Sequence, residues 1–438
     1  MEVQRVNIIY PKDLELAADP NRTELPPLGV LYVAASLEKE GFSVKVVGID
    51  QNTNQLPESD VDGLALITTA TYPIIREFSK RALPERSTIK IGGNTHATIF
   101  PEKTLQELKL DVVVRGEAEE VLPQLLKNLS IVDTIQEAAK GLSGLTFINE
   151  SVDLISDPTI NRIKDINKLA FPARHLMDND SILLENRLVG AGKLVTTLIT
   201  SRGCPFSCLY CANLNNKSFR TRSEDNIRTE IETILEQYPQ CEGLLIMDEN
   251  LTLSPRHVSN FAKAITGTGL EYVISGRADH MTKNMAGTLV QSGCLEVKFG
   301  IETGSPWLLK RMGKEANLEE FEEGVRTAAK AGLSVKLFLM HGFPGENEKT
   351  TSETIDMLKE LESFIGRATL YQFTPLPGSP IWHKAKEFNL HLKEKGLKDF
   401  RIYKNNTHWW GTEIDHRIVQ EQYERLKGEI IHLFGKVN

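Results

Sequence analysis

Cysteine is scarce in this chain, five in 438 residues, and three of the five fall between positions 204 and 211. That distribution excludes a disulfide framework and fits a reducing compartment, so a cytoplasmic location is expected. Basic residues are not in excess: 51 Lys and Arg against 59 Asp and Glu give a formal charge of −8, which argues against a nucleic-acid surface. No apolar run approaches the roughly 18 uncharged residues of a membrane-spanning helix. The opening MEVQRVNIIYPKDLEL lacks the apolar stretch of a secretory signal, and no membrane association is expected. No G-x-G-x-x-G follows the first strand-like run, which disfavours a dinucleotide site. No clear His–acid constellation for general-base chemistry is present either.

What remains reads as ordinary globular protein, 40% hydrophobic and 25% charged, long enough for two or three domains. Over residues 1–140, short apolar runs (VNIIY, VKVVGI, LALIT, TIKI, DVVV) alternate with helical patterns. This predicts an open, mostly parallel α/β sheet covered on both faces. Ligands of such sheets bind beyond the strand carboxyl ends. Thr68, Thr69 and Thr71 follow the third run, and Gly92, Gly93 and His96 follow the fourth. Hydroxyls there can hydrogen-bond a ligand and paired glycines admit close backbone approach; a tight turn explains the glycines equally well. Residues 141–192 read as a connector that opens on a small strand or hairpin, Gly141–Asn149 (GLSGLTFIN), and runs on as an extended linker broken by Pro158 and Pro172.

From 193 to 375, six strand-like runs (194–200, 243–247, 271–275, 294–301, 333–340 and 368–373) are mostly separated by helical patterns. Six β/α units predict a partial barrel, short of the eight that close one. Residues 376–438 form a small, partly helical cap in which His408, Trp409 and Trp410 could face a substrate or seal the barrel.

Cys204, Cys208 and Cys211 follow the first barrel strand with C-x₃-C-x₂-C spacing. Three soft thiolates suit an iron–sulfur cluster or zinc. A four-iron cluster normally takes four cysteines, and Cys241 and Cys294 stand far downstream, so one iron would be left open to a small chelator. A zinc site completed by histidine is the structural alternative.

The string C-P-F-S-C-L-Y-C (204–211) closely resembles the cluster motif of radical S-adenosylmethionine enzymes. The resemblance implies a [4Fe–4S] cluster on Cys204, Cys208 and Cys211, with S-adenosylmethionine chelating the fourth iron and Tyr210 near its adenine. GIETG (300–304) resembles the family's ribose motif, which assigns Glu302 to the ribose hydroxyls. Arg277 could pair with the methionyl carboxylate or brace neighbouring acids. Gly342, in MHGFPGE, and Pro375, in FTPLPGSP, match adenine-side segments. Asp248 and Glu249 read as active-site acids or solvated loop acids, and Arg220 or Arg222 as reaching the cofactor carboxylate. His341 could face the cavity or pack. PPLGVLYVAASLEKEGFSVKVVGID, IGGNTHATIFPE and VVVRGEAEE resemble the cobalamin-binding domain that precedes the barrel in one large subclass. That resemblance places a corrinoid near Thr68, Thr71, Gly92 and Gly93, with His96 either a ligand or a packed residue. The D-x-H-x-x-G signature of a lower axial histidine is absent, as is common in that subclass.

The resemblance as a whole implies a cobalamin-dependent radical enzyme, a methyltransferase acting on an unactivated carbon of a small molecule. An external electron donor such as flavodoxin or ferredoxin would serve it. Ring rearrangement or oxidative cyclisation, a first domain without cobalamin, and a non-catalytic metal-bound module stand as alternatives.

Overall fold

The computed structural model describes residues 3–12, 25–50, 52–66, 69, 71–186, 192–214, 218–392, 410–411 and 416–435. These fall into two compact units that divide between Ile182 and Leu183. No helix among them is long and apolar enough to cross a membrane.

The first unit is built on β1 (Arg5–Pro11), β2 (Ser43–Ile49), β3 (Val61–Ala65), β4 (Ile89–Gly93), β5 (Val112–Val114), β6 (Leu145–Ile148) and β7 (Leu154–Ser156), in the order β2-β1-β3-β4-β5-β6-β7. The first five are parallel, while β6 and β7 add an antiparallel edge. The small strand or hairpin expected at 141–149 thus supplies β6, and β7, in the stretch read as extended linker, pairs with it at the edge of this sheet. The pleat sorts successive side chains onto opposite faces. Ile8, Val112 and Val114 pack on one side with the helices Leu28–Lys39 and Val121–Leu129. Ile9, Leu64 and Val113 pack on the other with Tyr72–Ala82 and Pro101–Leu108. Strand order reverses between β1 and β3, the switch point beside which open α/β sheets place ligands.

The second unit holds β8 (Leu184–Asn186), β9 (Lys193–Leu198), β10 (Ser201–Arg202), β11 (Arg220–Thr221), β12 (Gly243–Ile246), β13 (Glu271–Gly276), β14 (Cys294–Glu302), β15 (Ser334–His341) and β16 (Arg367–Gln372). Six strands, β9 and β12 to β16, run parallel in sequence order, with β8 antiparallel at the edge. Helices Glu224–Gln237, Pro255–Ile265, Lys283–Gln291, Leu318–Lys330 and Glu348–Glu360 alternate with the strands, giving the expected open, partial (β/α)₆ barrel. Each starts on a side-chain cap: Ser223, Ser254, Thr282, Asn317 and Asn347 accept from first-turn amides. Tyr272 packs edge-on against Phe261 of the second helix, ring centroids 4.9 Å apart. Tyr272 and Ile274 therefore face the helices, and Val273 and Ser275 face the barrel interior.

Candidate active site

The three cysteines sit on one loop whose base is closed by the β10–β11 ribbon, Ser201 opposite Thr221 and Arg202 opposite Arg220. The loop tip is clamped through the backbone of Leu209. Its N–H donates to the Met312 carbonyl (2.8 Å), and its carbonyl accepts from the Ile381 N–H (2.9 Å). One clamp follows β14 and the other follows β16, so segments from two later strand ends position the cysteine loop. All three cysteines are partly accessible. Burial pushes the Cys211 thiol up to about 11 and raises Cys204, with Cys208 adding to both.

Glu302 ends β14 with a backbone φ of 72°, a left-handed conformation that a glutamate rarely adopts. The strain comes with a bulge: register with β15 shifts between Gly300 and Glu302. The carboxylate's Oε1 accepts from the Tyr210 hydroxyl at 3.0 Å and from Lys314 Nζ at 3.2 Å. Lys314 Nζ also donates to the Tyr210 oxygen (3.3 Å) and to the Gly300 carbonyl. Burial and the Glu302 charge hold the Tyr210 phenol well above its ordinary value, so it stays a hydrogen-bond donor. Glu302, Tyr210 and the cysteine loop are thus brought together. Lys314, which completes the group, lies in the charged run KRMGKE and carries no spacing signal; in sequence it reads as a surface lysine.

Asp248 is not a solvated acid. It is 3% exposed and anchors the strand leading into the cysteine loop, accepting the Thr200 N–H (2.7 Å), the Thr200 hydroxyl (2.5 Å) and the Ser201 hydroxyl (2.6 Å). His257 Nε2 reaches Thr200 Oγ1 at 2.8 Å. Glu249 accepts from the Gly203 N–H at 3.0 Å. Its side chain is accessible, yet desolvation by the surrounding protein raises its pKa. Arg277 directs Nε and Nη2 at Asp279, at 3.0 and 2.8 Å, and lies over the Phe206 ring at 3.9 Å. It therefore braces the cysteine loop. Arg222 is buried against Glu230 and donates to the Ile199 carbonyl at 2.8 Å, which commits it to the strand end.

At the end of β15, Gly342 takes a φ of 93° and donates its N–H to Glu346 Oε2 at 2.9 Å. His341 is buried, with Nε2 3.2 Å from Thr351 Oγ1, a packed position. Pro375 is buried in the segment after β16, between Phe373, whose N–H donates to the His341 carbonyl at 2.8 Å, and Ser379, which caps Pro380–His383. His408 and Trp409 lie outside the described residues.

In the first unit, Thr71 precedes the helix Tyr72–Ala82, and Thr68 lies outside the described residues. Gly92 answers to packing, since a Cβ there would stand 2.5 Å from Leu110 Cδ1. Gly93 has room, its nearest would-be neighbour being the Val114 carbonyl at 3.8 Å. His96 is packed: it is 3% exposed, stacked on Tyr72 with centroids 4.0 Å apart, and 3.2 Å from Thr69 through Nδ1. Burial pushes its imidazole down to about 3.

Whether these residues fit the implied groups is decided by the donor sets. The cysteine thiols are near enough to raise one another's pKa. Yet no three His, Cys, Asp or Glu side chains among the described residues gather tightly enough for one ion. Three soft thiolates on one loop are ligands of the kind a cluster takes, one for each of three irons. The donor set fits a cluster. Glu302 Oε2, with no hydrogen bond among the described residues, fits a polyhydroxyl ligand. Gly93, at a strand end near the switch point, fits close approach of a large ring system.

The Radical SAM superfamily model matches residues 198–358, and the B12 binding domain model matches residues 18–126. An uncharacterized methyltransferase of Pyrococcus horikoshii is 27% identical over 90% of this chain and 85% of its own length. An anaerobic magnesium-protoporphyrin IX monomethyl ester cyclase of Cereibacter sphaeroides is 25% identical over 83% of this chain, which spans 60% of that relative. Among solved structures, a radical S-adenosylmethionine methyltransferase, TsrM, from Kitasatospora setae with cobalamin and [4Fe–4S] cluster bound shares the fold. The match has a TM-score of 0.67 at 17% identity and covers 89% of this chain and 80% of that one.

Proposed function

The chain belongs to the radical S-adenosylmethionine superfamily, in the branch with a B12-binding domain ahead of the barrel, and from this premise we propose that it methylates an unactivated carbon of a small metabolite or natural-product intermediate. The observation that carries the reading is the order of parts: a 2-1-3-4-5 parallel sheet matched by the B12 model, then a barrel whose first loop presents three clamped thiols. When bound, the cluster with S-adenosylmethionine supplies a hydrogen-abstracting carbon radical and the corrinoid supplies the methyl group.

The chain's own residues bind and orient. Cys204, Cys208 and Cys211 hold the cluster, and Asp248, Arg277 and the Leu209 clamps fix their loop. Glu302 Oε2 accepts from the ribose hydroxyls while Lys314 and Tyr210 hold Oε1. Gly342 and Pro375 offer close approach on the adenine side. In the first domain, taken as residues 1–140, Thr71 and Gly93 border the corrinoid. Residues 376–438 shape substrate entry over the 193–375 barrel. Hydrogen abstraction needs no general base, in keeping with Asp248 and His341 being spent on structure. A cytoplasmic location and a flavodoxin or ferredoxin donor belong to this reading.

The test is anaerobic reconstitution of the full chain with iron, sulfide and hydroxocobalamin. One corrinoid and about four irons per chain, with reductive formation of 5′-deoxyadenosine lost in Cys208→Ala, is the expected result. The Cereibacter relative favours oxidative cyclisation as the second reading. S-adenosylmethionine labelled in its methyl group separates the two, because cyclisation leaves no label in the product.

A further inference from the structure

The interior face of the barrel carries a row of cations that the proposed chemistry does not use. Register pairs Ser275 with Lys298, Lys298 with Lys336, and Lys336 with Arg367 across four neighbouring strands. Ser275 faces the interior, opposite in pleat to the helix-facing Tyr272 and Ile274, and its register partners share that face. Below the row lies an apolar floor of Val195, Leu245 and Val273. Above it the same column of β14 ends in Gly300 and Glu302.

Like charges directly opposite one another on adjacent strands destabilise a sheet, so three in a row call for counter-charge. Glu296, two residues before Lys298 on this face of β14, is that strand's acid nearer to the row, and it is committed to Arg367. Arg367 Nε donates to its Oε2 at 2.8 Å and Nη2 to its Oε1 at 2.7 Å. Lys336 is buried, its Nζ 5.2 Å from the Phe338 ring centroid. Lys298 makes no hydrogen bond or ion pair among the described residues. Burial lowers its pKa, with Arg367 adding to the effect and Glu296 opposing it. A half-buried ammonium without a partner is costly to keep.

We propose that Lys298 binds an oxyanion of the substrate, a carboxylate or a phosphate, and thereby selects an anionic small molecule. The bulge leaves three register steps on β15 between the partners of Lys298 and Glu302, Lys336 and Leu339, so at about 3.3 Å of rise per residue Lys298 stands roughly 10 Å below Glu302. An anion held there directs the rest of the molecule upward, toward the end of the barrel where the cysteine loop and Tyr210 sit. The proposal rests on the reading of the barrel interior as the substrate site.

The test uses reconstituted holoenzyme with two probes, inorganic phosphate and malonate, titrated calorimetrically at ionic strength matched with chloride. Saturable binding of at least one is expected. Lys298→Met should raise Kd about tenfold or more and Lys298→Arg less than about threefold, the loss expected for one charge-assisted contact. Tighter phosphate binding indicates a phosphorylated substrate, and equal or tighter malonate binding a carboxylate. Acetylation of Lys298 in the wild type, followed by mass spectrometry, should slow when the probe is bound; this measurement decides if the methionine variant does not fold. No saturable binding of either probe, an unchanged Kd in Lys298→Met, or unprotected acetylation overturns the proposal. Binding is read without turnover. Failure of methyl transfer alone therefore leaves this result standing, and failure here leaves the methyltransferase reading standing.

Discussion

Glu302 and Lys314 meet at 3.2 Å at the end of β14, and both recorded contacts of the carboxylate, from Lys314 and from Tyr210, fall on Oε1. One lysine thus fixes which oxygen faces a ligand and sets a counter-charge beside a carboxylate that is only 13% exposed. The pair is a preorganised acceptor: strain at φ 72° places it, and the ammonium orients it.

Lys314→Met should therefore weaken S-adenosylmethionine binding by about tenfold to a hundredfold, the range expected for hydrogen bonds to charged groups. Iron content should stay near that of the wild type. Lys314→Arg should recover part of the loss, and Glu302→Gln should resemble Lys314→Met. Equilibrium binding of the cofactor to reconstituted protein checks this. Unchanged affinity in both Lys314→Met and Glu302→Gln would remove the ribose assignment.

Gly300 is required by that same carboxylate. A Cβ at 300 would lie 2.6 Å from Glu302 Oε1 and 3.6 Å from Lys314 Nζ, so Gly300→Ala must push the carboxylate off its position. Stability should fall by about 1–3 kcal/mol, the usual cost of overpacking, and cofactor affinity should fall with it. Thermal unfolding and equilibrium binding measured on one preparation check both. A variant with lower Tm but normal affinity would show that the carboxylate has room to move.

Part of this site is legible in the sequence because it is local. C-x₃-C-x₂-C and GIETG each keep their chemistry within a few residues, and the strand-like runs of the barrel fall where the strands do. Lys314 is not legible, because its partners are fixed by a bulge and a turn rather than by spacing. Asp248 misleads for the opposite reason. An acid at a strand end reads as functional, yet Thr200 and Ser201 come from the neighbouring strand and bury it. The row Lys298–Lys336–Arg367 is also invisible until register is known, since each residue alone is a charged interruption in an apolar strand. The strand at 145–148 is legible in GLSGLTFIN, but its edge partner at 154–156 is not, for want of apolar alternation: Leu154 and Ile155 are both exposed.

Asp248→Asn tests the anchor beneath the cysteine loop. The carboxylate accepts three hydrogen bonds, and an amide replaces one acceptor oxygen by a donor that then faces donors. The expected cost is about 1–3 kcal/mol, that of a buried polar group left unsatisfied. Because Thr200 and Ser201 lead into the loop, the iron retained after reconstitution should fall together with Tm. Full iron retention at lowered Tm would separate fold stability from loop position and end the anchoring argument.

The pH dependence of stability offers a last test, at Glu346 and His341. Burial pushes the Glu346 carboxyl up to about 7 and the His341 imidazole down to about 4, and the two side chains approach to 4.0 Å. Between its ordinary value of 4.5 and about 7, Glu346 holds its proton in the folded chain but not in the unfolded one, so its contribution to stability falls as pH rises. His341 does the reverse between about 4 and its ordinary 6.5: the unfolded chain binds the extra proton, and stability rises with pH. The two effects offset each other across most of that range, leaving only the Glu346 loss just below pH 7. Glu346→Gln keeps a carbonyl to accept the Gly342 N–H but cannot ionise. The stability of wild type minus that of the variant should therefore fall by up to ~3 kcal/mol as pH rises over that window, measured by denaturant unfolding at a series of pH values. With the glutamate gone, the variant's own profile should rise with pH, as the remaining histidine requires. A difference that does not vary with pH would mean that Glu346 is already ionised in the folded chain.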